Sequence, residues 1–409
     1  MTMRSPLYQM YQAYSDLTDP IRAAARVYAP LLEPPWLNKH STAARLMRGA
    51  WDSVALAGLT HERPPFGIDS VTVRGAEAAV REEVVERTAF CTLLHFKKDI
   101  DTLQPRVLVV APMSGHFATL LRNTVRTLLI DHDVYLTDWH NARDIALSAG
   151  RFNLDDFITH TVHFFETLGP GTHLVAVCQP TVPALAAVAL MAAQNNPAQP
   201  TTMTLMAGPI DTRVQPTEVN DLAMSKPIEW FERNLISTVP LRYRGALRKV
   251  YPGFLQISAF MSMNMGRHVN QFIEYYAHRV RPDDEKAESI KLFYDEYFAM
   301  MDLPAEFYLQ TIKNVFQEHH LARGILHVNG ELVDLSKIKR TALFTIEGER
   351  DDICSIGQTL AAQELCTGIR PYKKKHHVQM GVGHYGVFSG RRWENEIYPL
   401  VRDFIDLYN

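Results

Sequence analysis

The chain has 409 residues, 46% apolar and 21% charged, with Lys+Arg 42 against Asp+Glu 45 and a formal net charge of −3. That balance provides for a sizeable core and excludes a largely disordered, collagen-like or rod-forming protein. It lacks the single-sign excess of a nucleic-acid binder, and its four cysteines, none in a CxxC pair, suit a reducing compartment and a cytoplasmic protein.

The opening MTMRSPLYQMYQAYSDLTDP has no unbroken apolar run and no small-residue cleavage site, so no secretory signal is expected. Helical spacing follows in Ile21, Ala24, Ala25, Tyr28 and again in Ala43, Leu46, Ala50, Val54, with Pro34-Pro35 as a break. Residues 1–65 therefore read as an N-terminal helical extension. From Ser70 to Phe96 the alternation predicts two antiparallel edge strands with exposed charges.

The texture then changes to continuous apolar runs alternating with helical segments. Strands are expected at RVLVVAP, DVYLTDW, THLVAV and TMTLMAG, with helices near 117–130, 153–168 and 181–194. The rhythm resumes at TALFTIEG, a helix near 356–366, KKKHHVQM and a final helix near 393–407. Together they predict an α/β fold, a mostly parallel sheet with helices on both faces, over residues 66–210 and 339–409. Residues 211–338, rich in Tyr, Phe and Met, predict a mainly helical cap over the carboxyl ends of the strands. Leu174–Ile210 carries no charge, but Gln179, Pro180, Pro183, Asn195, Asn196 and Pro197 divide it into strand, turn, helix and strand rather than a transmembrane segment.

The chemistry begins where THLVAV ends. The box Ala176-Val177-Cys178-Gln179-Pro180 is a degenerate nucleophile elbow. Ala176 supplies one small flank, and Pro180 replaces the second glycine at the start of a helix, where its missing N–H costs nothing. A thiol at a helix N-terminus is favoured as thiolate; the alternative is a small buried hydrophobe. After TALFTIEG comes Glu349-Arg350-Asp351-Asp352, and after KKKHHVQM comes Gly381-Val382-Gly383-His384-Tyr385-Gly386. Nucleophile, acid and histidine thus occur in α/β-hydrolase order. The two aspartates are chemically equivalent; Asp351 is preferred over Asp352 for its G-x-x-D placement. Oxyanion donors are expected at the backbone N–H of Gln179 and of Met113 or Ser114. His116, His140, His376 and His377 read as structural. No HExxH, P-loop or dinucleotide fingerprint occurs, so no metal and no resident cofactor is expected.

At HLVAVCQPTVPALAAVALM, YLTDWHNARDIALSAGRFNLDDFI, FTIEGERDDI and GVGHYGVFSGRRW the sequence resembles the intracellular polyhydroxyalkanoate (poly-3-hydroxybutyrate) depolymerases of the α/β-hydrolase superfamily. The resemblance implies a cysteine nucleophile at Cys178, an acid at Asp351 and a base at His384. It further implies cleavage of amorphous polymer in storage granules, with water or coenzyme A as acyl acceptor. Among the cap residues Phe260, Met261, Met263 and Met265 are expected at the polymer. The rival readings are a polyester synthase and a non-catalytic granule-coat protein.

Overall fold

In a computed structural model the described residues are 7–31, 41–263, 265–281 and 284–409. The Pro34-Pro35 break lies outside them. Strands β1 (Ser70–Val73), β2 (Ala76–Arg87) and β3 (Cys91–Lys98) are three where two were expected. The turn between β1 and β2 is Arg74-Gly75, both at positive φ (51° and 84°), which lets the chain reverse within two residues. Nor is β3 an edge strand: it pairs with β2 on one side and with β5 on the other, which buries Cys91, Leu93, Leu94 and Phe96.

The continuous apolar runs become β4 (Arg106–Val110), β5 (Asp133–Trp139), β6 (Thr172–Val177) and β7 (Thr202–Met206). Within the cap, β8 (Ser237–Thr238), β9 (Lys249–Tyr251) and β10 (Leu303–Pro304) form a small sheet, and β11 (His327–Val328) pairs with β12 (Glu331–Leu332). The core resumes with β13 (Ala342–Gly348) and β14 (Lys374–Gln379). The main sheet has nine strands in the order β1-β2-β3-β5-β4-β6-β7-β13-β14, with β4 to β7, β13 and β14 parallel among themselves. This is the α/β-hydrolase fold: β3 runs antiparallel to its neighbours, and β4 and β5 exchange places before the parallel run.

Register places the site. Val177 pairs with Met206, Met206 with Ile346, and Gly348 with Gln379, so β6, β7, β13 and β14 end along one edge. The residues that follow them share that edge. One expected element is shorter than its periodicity: the helix near 356–366 is only Ala361–Leu365. The buried Glu347 carboxylate accepts the N–H groups of Gly357, Thr359 and Leu360 at 2.8–3.0 Å, holding 357–360 in turns instead.

The cap carries helices Gly253–Met263, Met265–Val280 and Asp284–Tyr297. The N-terminal helices Leu7–Leu31 and Thr42–Leu56 share a core with it: Tyr8, Leu56, Val250, Phe254, Tyr275 and Tyr294 form one buried cluster. Two polar knots tie this body to the sheet. Arg248, buried, donates to the carbonyls of Ile145, Ala146 and Gly150 at 2.6–3.0 Å. Asp302 accepts from the Tyr8 hydroxyl (2.5 Å) and from the Gly253 N–H (2.9 Å), while its own N–H donates to Asn141 Oδ1 (2.9 Å). Burial pushes the Asp302 carboxyl up to about 6. No helix among the described residues is long and apolar enough to cross a membrane.

Candidate active site

The strand-to-helix turn after β6 is as sharp as the box suggested. Cys178 sits in the left-handed region at φ 70°, a conformation costly for a residue with a Cβ. Hydrogen bonds hold it there: its N–H donates to the Met206 carbonyl (2.8 Å), and its carbonyl accepts from the N–H (3.1 Å) and hydroxyl (2.9 Å) of Thr181. The helix Thr181–Ala193 then starts directly after Pro180 and is buried from Thr181 through Met191. Pro180 does not provide the close approach that a second glycine would. Gly208, just beyond β7, does so instead: a Cβ there would lie 1.8 Å from Thr181 Oγ1.

Of the four cysteines, all free, only Cys178 is partly exposed. Burial pushes the thiols of Cys91 and Cys354 well up and that of Cys366 to about 12. The loop after β14 brings His384 to Cys178 in a short 3-10 turn, with its side chain 5% exposed. Its Nδ1 is 2.8 Å from Asp351 Oδ2, and the Cys178 sulfur is among the groups that act on its ring. Burial alone would lower the His384 pKa, but the Asp351 carboxylate and the Cys178 sulfur outweigh it and hold the imidazole well above its ordinary value. Asp351 Oδ1 in turn accepts the N–H groups of Ile353 (2.9 Å) and Cys354 (2.8 Å), so both carboxylate oxygens are committed. Asp352 is exposed and faces a cavity instead of the imidazole.

Around the sulfur, the backbone N–H groups of Gln179 and Ser114 make no hydrogen bond among the described residues. The Met113 N–H makes only a long contact, 3.4 Å, to Gln179 Oε1. His116, His140, His376 and His377 are engaged elsewhere. His116 packs between Phe260 and Tyr297, and burial pushes it down to about 4. His140 bonds Thr92 Oγ1 (2.7 Å), His376 bonds Thr345 Oγ1 (2.9 Å) and His377 bonds Gln379 Oε1 (2.9 Å).

A cavity of about 490 Å³ lies between the cap and the histidine loop. Phe260, Arg267, Phe293 and Tyr297 line it from the cap; Arg350, Asp352, His384 and Tyr385 line it from the core. Cys178 is not part of its wall. Of the expected polymer-facing residues, Phe260 lines this cavity, Met261 packs toward the cap core, and Met265, at a helix start, is half exposed outside it. The side chain of Met263 lies outside the described residues. Arg267 and Arg350 escaped notice because isolated surface-type arginines carry no pattern until the fold brings them together. The arrangement as a whole can transfer an acyl group: a thiol paired with an oriented imidazole, and free N–H groups beside it.

Residues 207–409 match the family model described as PHB de-polymerase C-terminus. The match begins immediately after β7, so it takes in the cap, Asp351 and His384 and leaves Cys178 outside. No curated protein sequence matches the chain. Similar solved structures include a putative lipase from Acinetobacter baumannii (11% identity, 80% of this chain and 93% of that one, TM-score 0.43). An arylesterase (10%, 95% and 98%, TM-score 0.43) and the 2-hydroxy-6-oxo-6-phenylhexa-2,4-dienoate hydrolase of a Rhodococcus species (10%, 80% and 99%, TM-score 0.44) are also similar.

Proposed function

From the premise that residues 207–409 belong to the PHB depolymerase family, on an α/β-hydrolase chain, we propose that this ester hydrolase is an intracellular depolymerase of amorphous poly(3-hydroxybutyrate). The observation that carries the reading is the His384–Asp351 hydrogen bond beside the Cys178 elbow, the three residues standing at the ends of β14, β13 and β6. Cys178 Sγ attacks the ester carbonyl as thiolate. His384 holds the proton and delivers it to the leaving alkoxide, while Asp351 fixes the tautomer with Nδ1–H toward the carboxylate. The N–H groups of Gln179 and of Met113 or Ser114 stabilise the developing oxyanion. The acyl-cysteine is discharged by water or by the thiol of coenzyme A, with His384 now taking the proton. Four free thiols support a cytoplasmic site of action on the storage granule.

Incubation of the protein with native amorphous granules, with and without coenzyme A, tests this by identification of the products. Short hydroxybutyrate oligomers, or their thioesters, are expected from the parent. Cys178→Ala should lower turnover by several orders of magnitude, about 10⁴-fold or more. Normal granule clearance by a folded Cys178→Ala protein overturns the assignment; polymer growth from hydroxyacyl-CoA would make the protein a synthase.

A further inference from the structure

The polymer in the proposed reaction is uncharged along its length, since its repeating unit is an ester and only chain ends carry charge. Yet the cavity beside His384 has two arginines in its wall, Arg267 from the cap and Arg350 from the loop after β13. Neither side chain makes an ion pair or hydrogen bond among the described residues. The Arg350 N–H donates to the Val382 carbonyl (2.8 Å), which fixes the backbone carrying that arginine against the histidine loop. Asp352 is the one carboxylate in the wall, so the lining keeps a positive excess. Phe260 and Tyr297 add an apolar flank. Two cations beside aromatic surface suit a ligand with an aliphatic body and an anionic end.

The place of His384 in this wall, with Cys178 outside it, identifies which reacting partner enters. In the first half-reaction the Sγ–carbon bond forms, the bond from that carbon to the leaving oxygen breaks, and the imidazolium proton goes to the departing alkoxide. In the second, the acceptor's oxygen or sulfur bonds the carbon, its proton goes to the imidazole, and the carbon–Sγ bond breaks. Leaving group and acceptor must both meet His384.

We propose that this cavity is the leaving-group and acceptor subsite, and that Arg267 and Arg350 hold the anionic end of the chain that occupies it. The inference rests on the depolymerase reading and deepens it. One ligand chemistry has two sources here. The first is the terminal carboxylate of a hydroxybutyrate oligomer, released as the alcohol of the ester cleaved next to it. The second is the phosphate-bearing end of a coenzyme A type thiol. A guanidinium binds either with two parallel N–H donors.

The test compares the 3-hydroxybutyrate trimer as free acid and as methyl ester, in the parent, Arg267→Gln, Arg350→Gln and the double variant. The parent should prefer the free acid in kcat/KM by about tenfold, the double variant should lose that preference, and Arg267→Lys with Arg350→Lys should keep part of it. A second arm compares acyl transfer to coenzyme A and to pantetheine, which lacks the phosphates. A preference for coenzyme A that the double glutamine variant loses assigns the subsite to the thiol acceptor. An active parent that treats acid and ester alike, and both thiols alike, overturns this inference alone, as does a double variant with parental ratios. A parent inactive on both trimers overturns the depolymerase reading and this inference with it.

Discussion

Replacing Gly208 by alanine should disable the site without touching any group in it. The new Cβ would lie 1.8 Å from Thr181 Oγ1, 2.3 Å from Cγ2 and 2.4 Å from Cβ. Rotation about χ1 moves the first two atoms but not Cβ, which must retreat by about 1 Å to reach ordinary contact near 3.5 Å. Gly208 itself cannot yield easily: its N–H donates to Thr359 Oγ1 at 2.8 Å, that hydroxyl donates back to its carbonyl at 3.0 Å, and the Ala207 N–H donates to the Ile346 carbonyl. The displacement therefore passes to Thr181, and through the Thr181–Cys178 hydrogen bonds to the sulfur and the Gln179 N–H. A shift of about 1 Å at a reacting group costs on the order of 10²-fold in rate, and overpacking of this kind about 1–3 kcal/mol in stability. Hydrolysis of p-nitrophenyl butyrate and urea unfolding measure the two effects. Thr181→Gly removes all three clashing atoms, so the double variant should recover a large part of the rate lost in Gly208→Ala. A parental rate in Gly208→Ala, or purely additive losses in the double variant, would refute the reasoning.

Asp351→Asn should lower turnover by about 10²-fold, less than in a serine triad because a thiol ionises more readily, whereas Asp352→Asn stays within a few-fold; the reverse ranking would move the orienting role to Asp352. Brief iodoacetamide labelling followed by peptide mapping should tag Cys178 first, since the other three thiols are buried and their pKa values raised; earlier labelling of Cys91, Cys354 or Cys366 contradicts this. Burial holds His116 at about 4 in the folded chain, so below an unfolded value of about 6.5 the unfolded state takes a proton that the folded state refuses, and stability falls with pH. Going from pH 7 to 5 costs about 2 kcal/mol at this one group. His116→Phe should remove that loss, and a urea midpoint with the same pH slope as the parent would exclude it.

The parallel core was legible because β4, β6, β7 and β13 are buried on both faces, so their runs are dominated by apolar residues and end at turn residues. Chain order alone put Cys178, an aspartate and His384 at the ends of strands, and the level ends of those strands are what bring them together. Between Asp351 and Asp352 the residue types say nothing. The difference lies in two backbone N–H groups that turn toward one carboxylate and not the other. Other features depend on contacts far along the chain. The helix expected near 356–366 is cut short by Glu347, whose carboxylate takes the N–H groups a first turn would leave open. The cap strands are two or three residues long and hold no periodicity to read. The elbow's close contact is expected in its own box at Pro180, yet it comes from Gly208, just past the end of the neighbouring strand.

The hydrogen bond from Tyr8 to Asp302 joins positions 294 residues apart. During synthesis the first helix therefore leaves the ribosome long before its partner exists, by roughly 15 to 60 s at 5–20 residues per second. Its apolar partners come sooner: Phe254 and Tyr275 of the same buried cluster follow Tyr8 by 246 and 267 residues, so the carboxylate is the late member of a contact that has begun to form. A chain truncated before Asp302 would keep those apolar contacts but leave the Tyr8 hydroxyl without its acceptor, so the first helix is packed early and its polar anchor is set only when the cap is nearly complete.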